Sequence, residues 1–306
     1  MSDAPAPHAL LRAGIVVPFL LVSLIWGSTW FVITGQIGSD LNPSWAVAGR
    51  FAIAAPAMFL VALAMRRSLH IGARGHLLAL ALGLVQFCLN LNLVYRAELH
   101  LTSGIVATVF GLQIVTNAAL ARMVLAQPVT RSFALGTVVA LSGVALLLLH
   151  EAQAAPLGGN IALGIALTIG GIVAASVANI AQAGETGRSL PMASLLAWGM
   201  LYGAAINSML AFALAGPPDW PETSAFWAGL GWLALAGSVA TFPMHYFLVR
   251  EIGAGKAAYS NVLVIVVAML LSTLFEGYRW TALPAAGAVL ALAGLLIALR
   301  ARRPAR

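Results

Sequence analysis

Uncharged polar side chains recur inside long apolar stretches of the sequence, close to the middle of each stretch. Five stretches have a polar or aromatic side chain at a comparable depth: Trp26, Gln86, Gln113, Ser176 and Ser238. Within one or two helical turns on the same face, a further polar or aromatic residue follows each of them: Trp30, Asn90, Asn117, Asn179 and His245. Amides, hydroxyls and aromatic faces in this pattern can hydrogen-bond to and stack on a small neutral or zwitterionic molecule.

These residue types also have structural explanations. A serine hydroxyl inside a helix commonly bonds to the preceding turn or supports helix packing, which is the alternative for Ser176 and Ser238. Trp26 has core packing as its alternative. A buried amide is harder to satisfy in apolar surroundings, so Gln86 and Gln113 are the stronger candidates for lining a cavity.

Patterns that would indicate an enzyme are missing from the sequence. His150-Glu151 is not followed by a second histidine four residues after the first, because Ala154 stands there. The single cysteine, Cys88, has no neighbouring charge that would favour its thiolate. The sequence also has no Gly-x-x-x-x-Gly-Lys-Ser/Thr loop for phosphates. We therefore expect a protein that is not an enzyme, binds no cofactor and does not use ATP directly.

The composition indicates that lipid surrounds these stretches. Hydrophobic residues make up 61% of the 306 residues and charged residues 8%, which is too little polar surface for a soluble globule. About 20 apolar residues cross roughly 30 Å of hydrocarbon. The sequence predicts an all-α membrane protein with ten transmembrane helices, at 14–33, 45–65, 76–95, 101–125, 133–149, 160–184, 191–214, 225–248, 257–275 and 282–300. The first is interpreted as a retained span rather than a signal peptide.

The distribution of basic residues predicts the orientation of these spans across the membrane. With both termini in the cytoplasm, thirteen of the sixteen Lys and Arg residues lie in cytoplasmic segments, and only Arg96 and Arg279 lie outside. Six of the nine acidic residues lie outside. The formal net charge of +7 follows from this distribution, so it indicates contact with membrane lipid and gives no reason to expect nucleic acid. The Ala- and Arg-rich composition suggests a multi-pass protein of a bacterial inner membrane.

The sequence also contains an internal duplication. Adding 151 to positions in the third to fifth spans gives identical residues in the eighth to tenth spans. The matched pairs are Tyr95 and Tyr246, Gly104 and Gly255, Ala107 and Ala258, Leu112 and Leu263, Thr130 and Thr281, Gly136 and Gly287, and Gly143 and Gly294. Because each half has five spans, residues 1–150 and 151–306 form two inverted repeats. Inverted repeats are typical of secondary transporters with a site at the midplane, and a structural or signalling membrane protein is the alternative.

The duplication extends the candidate site. Phe110 and Asn261 are equivalent positions, each one turn from the equivalent pair Gln113 and Val264, so Phe110 and Asn261 should face the same central space from opposite sides. The paired glycines are spaced to lie on one helix face and predict close helix packing. The predicted substrate-binding residues are Trp26, Trp30, Gln86, Asn90, Phe110, Gln113, Asn117, Ser176, Asn179, Ser238 and Asn261.

Three residues near span ends have other predicted roles. Tyr95 lies at the outer end of the third span and Tyr246 at the inner end of the eighth, so they are candidate gates or members of the interfacial aromatic belt. Arg50 lies in the outer third of the second span. We expect it to pair with an outer acid such as Glu98 or Glu276 in a structural role.

Four short motifs resemble a known family. They are Leu-Ile-Trp-Gly-Ser-Thr-Trp at 24–30, Ala-Gly-Arg-Phe at 48–51, Ala-Gly-Lys-Ala-Ala at 254–258 and Leu-Phe-Glu at 274–276. Their order, with the Gly-rich fifth and tenth spans, resembles the EamA-type branch of the drug/metabolite transporter superfamily. Within it, the chain is most similar to the aromatic amino-acid exporters of the YddG type. The sequence departs from that family at Gln113 and Val264, where the family usually has proline.

The residues and the resemblance together favour amino-acid export by alternating access. The inferred cavity offers no fixed charge, which suits a small amphipathic substrate such as an aromatic or other neutral amino acid. No Asp or Glu lies in the middle of a span, and the only candidate proton relay is His245, near the cytoplasmic end of the eighth span. We therefore expect facilitated diffusion or exchange by a monomer. The alternative is an exporter of another metabolite or drug with the same fold and proton coupling.

Overall fold

The computed structural model describes residues 13–101, 103–126, 129–154, 160–275 and 281–299. Within these ranges all regular secondary structure is helical. The first half contains α1 (Ala13–Ile37), α2 (Pro43–Ala64), α3 (Gly72–Ala97), α4 (Ser103–Phe110), α5 (Gln113–Val124) and α6 (Arg131–Ala154). The second half contains α7 (Ile161–Ala183), α8 (Glu185–Ser189), α9 (Met192–Ala215), α10 (Ser224–Ile252), α11 (Ala254–Ala257), α12 (Ser260–Phe275) and α13 (Ala282–Leu299).

The chain is a membrane protein by the length and hydropathy of these helices. Eight described segments are long and apolar enough to cross a bilayer: Ala13–Ile37, Pro43–Ala64, Gly72–Ala97, Val106–Val124, Ala162–Ala183, Met192–Ala215, Ser224–Ile252 and Ala254–Phe275. The apolar parts of α6 and α13, Arg131–Leu146 and Ala282–Ala298, are shorter. Each of the ten predicted spans therefore overlaps a described helix, and eight of them have full spanning length. Glu276, Arg279 and residues 300–306 lie outside the described ranges.

Local sequence signals set several helix ends. The Asn42 side chain accepts a hydrogen bond from the Ser44 backbone N–H at 3.0 Å, with Pro43 in the first turn of α2. Asn160 caps α7 in the same way through the Leu163 N–H. At the other end of the bundle, Gly253 has a φ of 87° and separates α10 from α11. Only glycine adopts this conformation without strain, so the chain can turn sharply between two apolar helices.

The fourth predicted span, 101–125, is not one continuous helix. The chain makes a tight turn at Gly111 and Leu112, where the Gly111 N–H bonds to the Thr108 carbonyl at 3.0 Å. A bond over three residues tightens the helix, and glycine favours such a break. The ninth span is interrupted in the same manner at Ala258 and Tyr259, between α11 and α12. Hydrophobic length alone predicted neither break.

Two of the long helices contain π-helical segments. In α3 the segment is Gly83–Asn90, and in α10 it is Leu235–Ala240. Adding 151 to the first segment gives 234–241, so the two segments occupy equivalent positions in the two halves. A π-helical turn leaves backbone carbonyls available to other donors and is frequent at functional sites. In α3 the carbonyl of Phe87 accepts a bond from the Asn207 side chain at 2.9 Å.

Helices α6 and α13 pack through glycines. A Cβ added to Gly136 would lie 2.7 Å from the Gly294 carbonyl oxygen, and one added to Gly294 would lie 2.6 Å from the Gly136 oxygen. A Cβ on Gly143 would collide with the Gly287 oxygen. The close packing predicted for these glycines is therefore present. The two contacts are also equivalent under the offset of 151, which relates Gly136 to Gly287 and Gly294 to Gly143.

Other helix pairs follow the same offset. Helix α2 packs extensively against its equivalent α9, and α1 packs on α12 as α7 packs on α4 and α5. Helix α3 contacts α9 in the way that α10 contacts α2. The described contacts are consequently symmetric between the two halves, and the space that they enclose has walls from both.

A leucine at Gly143 should separate α6 from α13. The added side chain would have to displace the backbone of α13, which we expect to lower the free energy of unfolding by about 1–3 kcal/mol or more. A lower midpoint of thermal unfolding in detergent would be the observed result. Leucine at Gly231, whose Cβ would meet nothing within 4 Å, is the matched control and should leave the midpoint unchanged. An equal loss in both variants would contradict the packing role.

Candidate functional site

A cavity lies at the centre of the bundle and has walls from both halves of the sequence. Helices α1 to α5 contribute Trp26, Thr29, Trp30, Ile33, Arg50, Gln86, Asn90, Leu91, Val94, Phe110 and Gln113. Helices α7, α10 and α12 contribute Ala175, Asn179, Phe242, His245, Asn261 and Val264. Eight of the eleven predicted substrate-binding residues are therefore brought together around one space, as is the candidate relay His245.

Aromatic rings form one part of the wall. The Trp26 ring lies edge-on to Phe242, with centroids 5.5 Å apart, and tilted against His245 at 4.8 Å. Trp30 and Phe110 make a second edge-to-face pair at 5.7 Å. The Trp26 indole N–H donates to a carbonyl of α10, which fixes the ring. These rings offer flat apolar surfaces on which a ligand side chain could stack.

Two amides on α3 belong to the cavity wall and have buried side-chain oxygens without a described partner. The side chains of Gln86 and Asn90 are 5% and 4% exposed, and both line the wall. Among the described residues, neither the Gln86 Oε1 nor the Asn90 Oδ1 has a hydrogen-bond partner. A buried unsatisfied acceptor costs free energy, which a ligand that donates an N–H would recover.

A hydrogen bond between the two halves crosses the cavity wall. The Nδ2 of Asn261, on α12, donates to the Oε1 of Gln113, at the start of α5. The sequence predicted both residues as substrate ligands facing one space from opposite sides. The structure pairs them with each other, so Gln113 does not have the unpaired amide that its position suggested.

His245 lies on the wall of this central cavity, whereas the sequence placed it near the cytoplasmic end of its span. Its Nε2 is 3.2 Å from the Asn179 Oδ1. The chain of side chains continues from the Asn179 amide to the Asn117 oxygen at 3.4 Å, and from the Asn117 amide to the Ala254 carbonyl at 3.2 Å. Polar groups thus connect the cavity to the break between α10 and α12.

Arg50 also lines the cavity, which corrects one prediction. The expectation of a cavity without a fixed charge is wrong, because the guanidinium is 3% exposed and belongs to the wall. Its hydrogen bonds reach two neutral oxygens of α10, the Ser238 hydroxyl at 2.9 Å and the Gly237 carbonyl at 3.0 Å. Glu276, one of the two acids proposed as its partner, lies outside the described residues.

Three predicted substrate-binding residues do not line the cavity. Asn117 and Ser176 lie behind the wall, where the Ser176 hydroxyl is 2.6 Å from the Thr116 hydroxyl. Ser238 also lies behind the wall and holds Arg50. For the two serines, the packing explanation is therefore the better description of their contacts. Their contribution to a ligand would be indirect.

The two candidate gates, Tyr95 and Tyr246, are both completely buried. A ring buried inside the protein cannot belong to a lipid-facing aromatic belt, so that interpretation is wrong for both. Neither residue lines the cavity, and Tyr246 stacks on the wall residue Phe242 with ring centroids 6.0 Å apart. Their role as gates stays a prediction.

Seven wall residues had no role predicted from the sequence: Thr29, Ile33, Leu91, Val94, Ala175, Phe242 and Val264. Thr29 lies one residue before Trp30, and Phe242 lies one turn after Ser238. The helix faces predicted to line the cavity were therefore too narrow. The π-helical segment of α10 changes the rotation of the residues that follow it, which places Phe242 on the inner face. Within the described ranges, no group of three or more His, Cys, Asp or Glu side chains could hold a metal ion.

An apolar helix bundle around a small central cavity, with polar groups from several helices, is the arrangement of a membrane transporter. Residues 14–149 match the family described as the EamA-like transporter family. This match covers somewhat less than half of the chain and makes it similar to membrane transporters of the drug/metabolite transporter superfamily.

Two individual proteins are similar to this chain. Protein PagO of Salmonella typhimurium is 28% identical over 99 residues, and the match spans 32% of this chain and 32% of PagO. The chain thus matches about a third of the length of that relative. A solved crystal structure, described only as that of a protein, superposes with a TM-score of 0.71 at 17% identity. It covers 92% of this chain and 95% of the other, which shows a shared fold.

Proposed function

We propose that this protein exports a small neutral amino acid, aromatic or otherwise apolar, across a bacterial inner membrane by alternating access. The observation that carries the proposal is the central cavity, which combines aromatic surfaces with unpartnered amide oxygens and has walls from both halves. An amino acid has an apolar side chain for the first and an ammonium donor for the second. Export as the direction rests on the resemblance to amino-acid exporters.

We also propose that the ten helical spans form two inverted five-helix repeats, residues 1–150 and 151–306. Three observations support this division: the π-helical segments at equivalent positions, the reciprocal glycine contacts of α6 and α13, and the symmetric helix pairs. In such an arrangement the two halves can rock about the central site and expose it to each side in turn. The Gln113 to Asn261 bond joins the halves at that site and would have to break or rotate during the cycle.

Transport can be tested with the purified full-length protein in liposomes. The probes are radiolabelled phenylalanine, tryptophan, leucine, glutamate and lysine, with ethidium as a cationic drug. We expect uptake of the neutral amino acids above that of protein-free liposomes, with competition among them. If ethidium is the only probe taken up, the protein is a drug exporter and not an amino-acid exporter. If none of the probes is taken up, the proposed substrate class is wrong.

The orientation leads to a separate prediction. Because thirteen of the sixteen basic residues fall in the segments placed inside, a reporter fused after Arg306 should be cytoplasmic. Green fluorescent protein at this position should fluoresce, and alkaline phosphatase should be inactive. The same reporters fused after Asp40, in the first outer loop, should give the opposite result. Phosphatase activity after Arg306 would contradict both the span count and the orientation.

A further inference from the structure

Arg50 is the only wall residue of the central cavity that has a fixed charge, and no wall residue is acidic. All seventeen wall residues belong to the described part of the chain. A guanidinium in a low-dielectric site is costly unless an opposite charge or several hydrogen bonds compensate it. The guanidinium therefore gives the cavity wall a positively charged group to which an anionic group could bind.

The guanidinium is held in one orientation by the π-helical segment of α10. Its Nε donates to the Ser238 Oγ and its Nη2 to the Gly237 carbonyl. That carbonyl also accepts from the Trp26 Nε1 at 3.2 Å and from the Thr241 Oγ1 at 2.8 Å. One backbone oxygen of the segment thus positions both Arg50 and the aromatic ring Trp26 at the cavity.

These contacts leave the binding capacity of Arg50 incomplete. A guanidinium has five N–H donors, and the two bonds to α10 use two of them. Both acceptors are neutral, and the Tyr95 hydroxyl, which also interacts with Glu98, is a third polar neighbour of the guanidinium. A carboxylate is the group that matches the remaining planar donors best, because it can accept two parallel N–H bonds.

We propose that Arg50 binds the carboxylate of the transported molecule and thereby restricts the substrates to carboxylates with an apolar side chain. This inference rests on the proposed transport function and specifies its substrate class. The carboxylate lies at Arg50, the ammonium group reaches the Gln86 and Asn90 oxygens, and the side chain stacks near Trp26. A neutral or cationic drug would offer no carboxylate to the remaining N–H donors of Arg50.

The first experiment compares ligands on the wild-type protein in detergent by isothermal titration. Phenylalanine, phenylalaninamide and phenethylamine share the aromatic ring and the amino group and differ in the carboxylate. We expect phenylalanine to bind about 10- to 100-fold more tightly than the other two, the effect of a lost charge-assisted hydrogen bond. Equal affinities for the three compounds would overturn the proposal without any variant.

The second experiment compares variants. Arg50→Gln should bind phenylalanine about 10- to 100-fold more weakly and should lose the preference for phenylalanine over its amide. Arg50→Lys keeps the charge but loses the planar fork, so it should retain part of the preference. Arg96→Gln is the matched control, since Arg96 bonds to Asn92 and Ser44 and does not line the cavity. It should bind like the wild type.

The outcomes separate the proposal from the transport function. A merely structural Arg50 would lower stability while phenylalanine and its amide keep their affinity ratio, which would overturn the proposal. If the wild type transports only compounds without a carboxylate, transport stands and the role of Arg50 is wrong. If it transports none of the probes, both are wrong. If Arg50→Gln fails to fold, Arg50→Lys and the ligand comparison on the wild type still test whether Arg50 binds the carboxylate.

Discussion

Gln86→Leu is expected to reduce amino-acid transport about 10- to 100-fold and to leave the folded protein intact. The Gln86 Oε1 has no hydrogen-bond partner among the described residues, so removing it breaks no described contact of that atom. Leucine has a similar size and no polar atom to bury, which can even stabilise the site. The loss should therefore appear in substrate binding, as an N–H of the ligand loses its acceptor. Initial uptake rates in liposomes and the thermal midpoint measure the two effects separately.

Gln36→Leu is the matched control for this experiment. Gln36 is 2% exposed, and its Oε1 has no described partner either, although its Nε2 donates to the Phe226 carbonyl at 3.1 Å. It lines a second cleft beside α10 instead of the central cavity. Its replacement should preserve the uptake rate. If Gln86→Leu transports phenylalanine at the wild-type rate, or if both variants fail equally, the central cavity is not the substrate site.

Gln113→Leu tests a different property of the same site. Gln113 accepts a bond from Asn261, so leucine leaves the Asn261 amide without this partner in a buried place. This unsatisfied amide raises the free energy of the conformation in which the Gln113–Asn261 bond joins the two halves. We expect Gln113→Leu to lower both transport and thermal stability, unlike Gln86→Leu.

Much of the fold could be predicted because hydrophobic length is a strong constraint in lipid. The helix positions, the close contact at Gly136 and Gly143 and the two-sided cavity all follow from apolar runs, small residues and an internal offset. The breaks at Gly111 and Ala258 could not be predicted in this way. An apolar run has the same length whether its helix is continuous or interrupted, and the interruption depends on packing that a single sequence does not display.

Much of the cavity wall was predictable from the depth of a residue in its span and from the helical period. Trp26, Trp30 and Phe110 were found from depth and helical period, and the structure places all three on the wall. Two of the errors, Ser238 and Phe242, lie in or just after the π-helical segment of α10, where the wider turn rotates the following side chains. Ser238 therefore lies behind the wall and Phe242 on it. The depth of polar residues in α10 thus predicted the correct turn of this helix, but not which face of that turn lines the cavity.

Arg50 shows a different limit of the sequence. An arginine in an apolar stretch was assigned an acidic partner, because a buried charge needs compensation. Its described hydrogen bonds go to the Gly237 carbonyl and the Ser238 hydroxyl of α10. The place of the guanidinium on the cavity wall depends on helix packing, which a count of acids and bases does not give.

The position of His245 on the cavity wall raises the question of energy coupling. A histidine that contacts substrate could exchange a proton with it in each cycle, and the chain through Asn179 and Asn117 gives His245 polar neighbours. No carboxylate lines the cavity to share such a proton. The fixed charge of Arg50 is present in both the loaded and the empty carrier, so it does not determine the net charge moved with each substrate.

Uptake of phenylalanine into liposomes is accordingly expected to stop at the external concentration, whatever gradient is imposed. A zwitterion that moves alone transfers no net charge, and each transferred charge would be worth about 2.3 kcal/mol per 100 mV. Coupling to one charge would thus concentrate the substrate roughly 50-fold at 100 mV, which is easily measured. A potassium diffusion potential and a pH step, applied separately, should change the initial rate at most. Phenylalanine should reach the same final concentration in liposomes with His245→Ala as in liposomes with the wild type. Accumulation under an inward proton gradient that disappears in His245→Ala would instead make this histidine the proton relay of a coupled exporter.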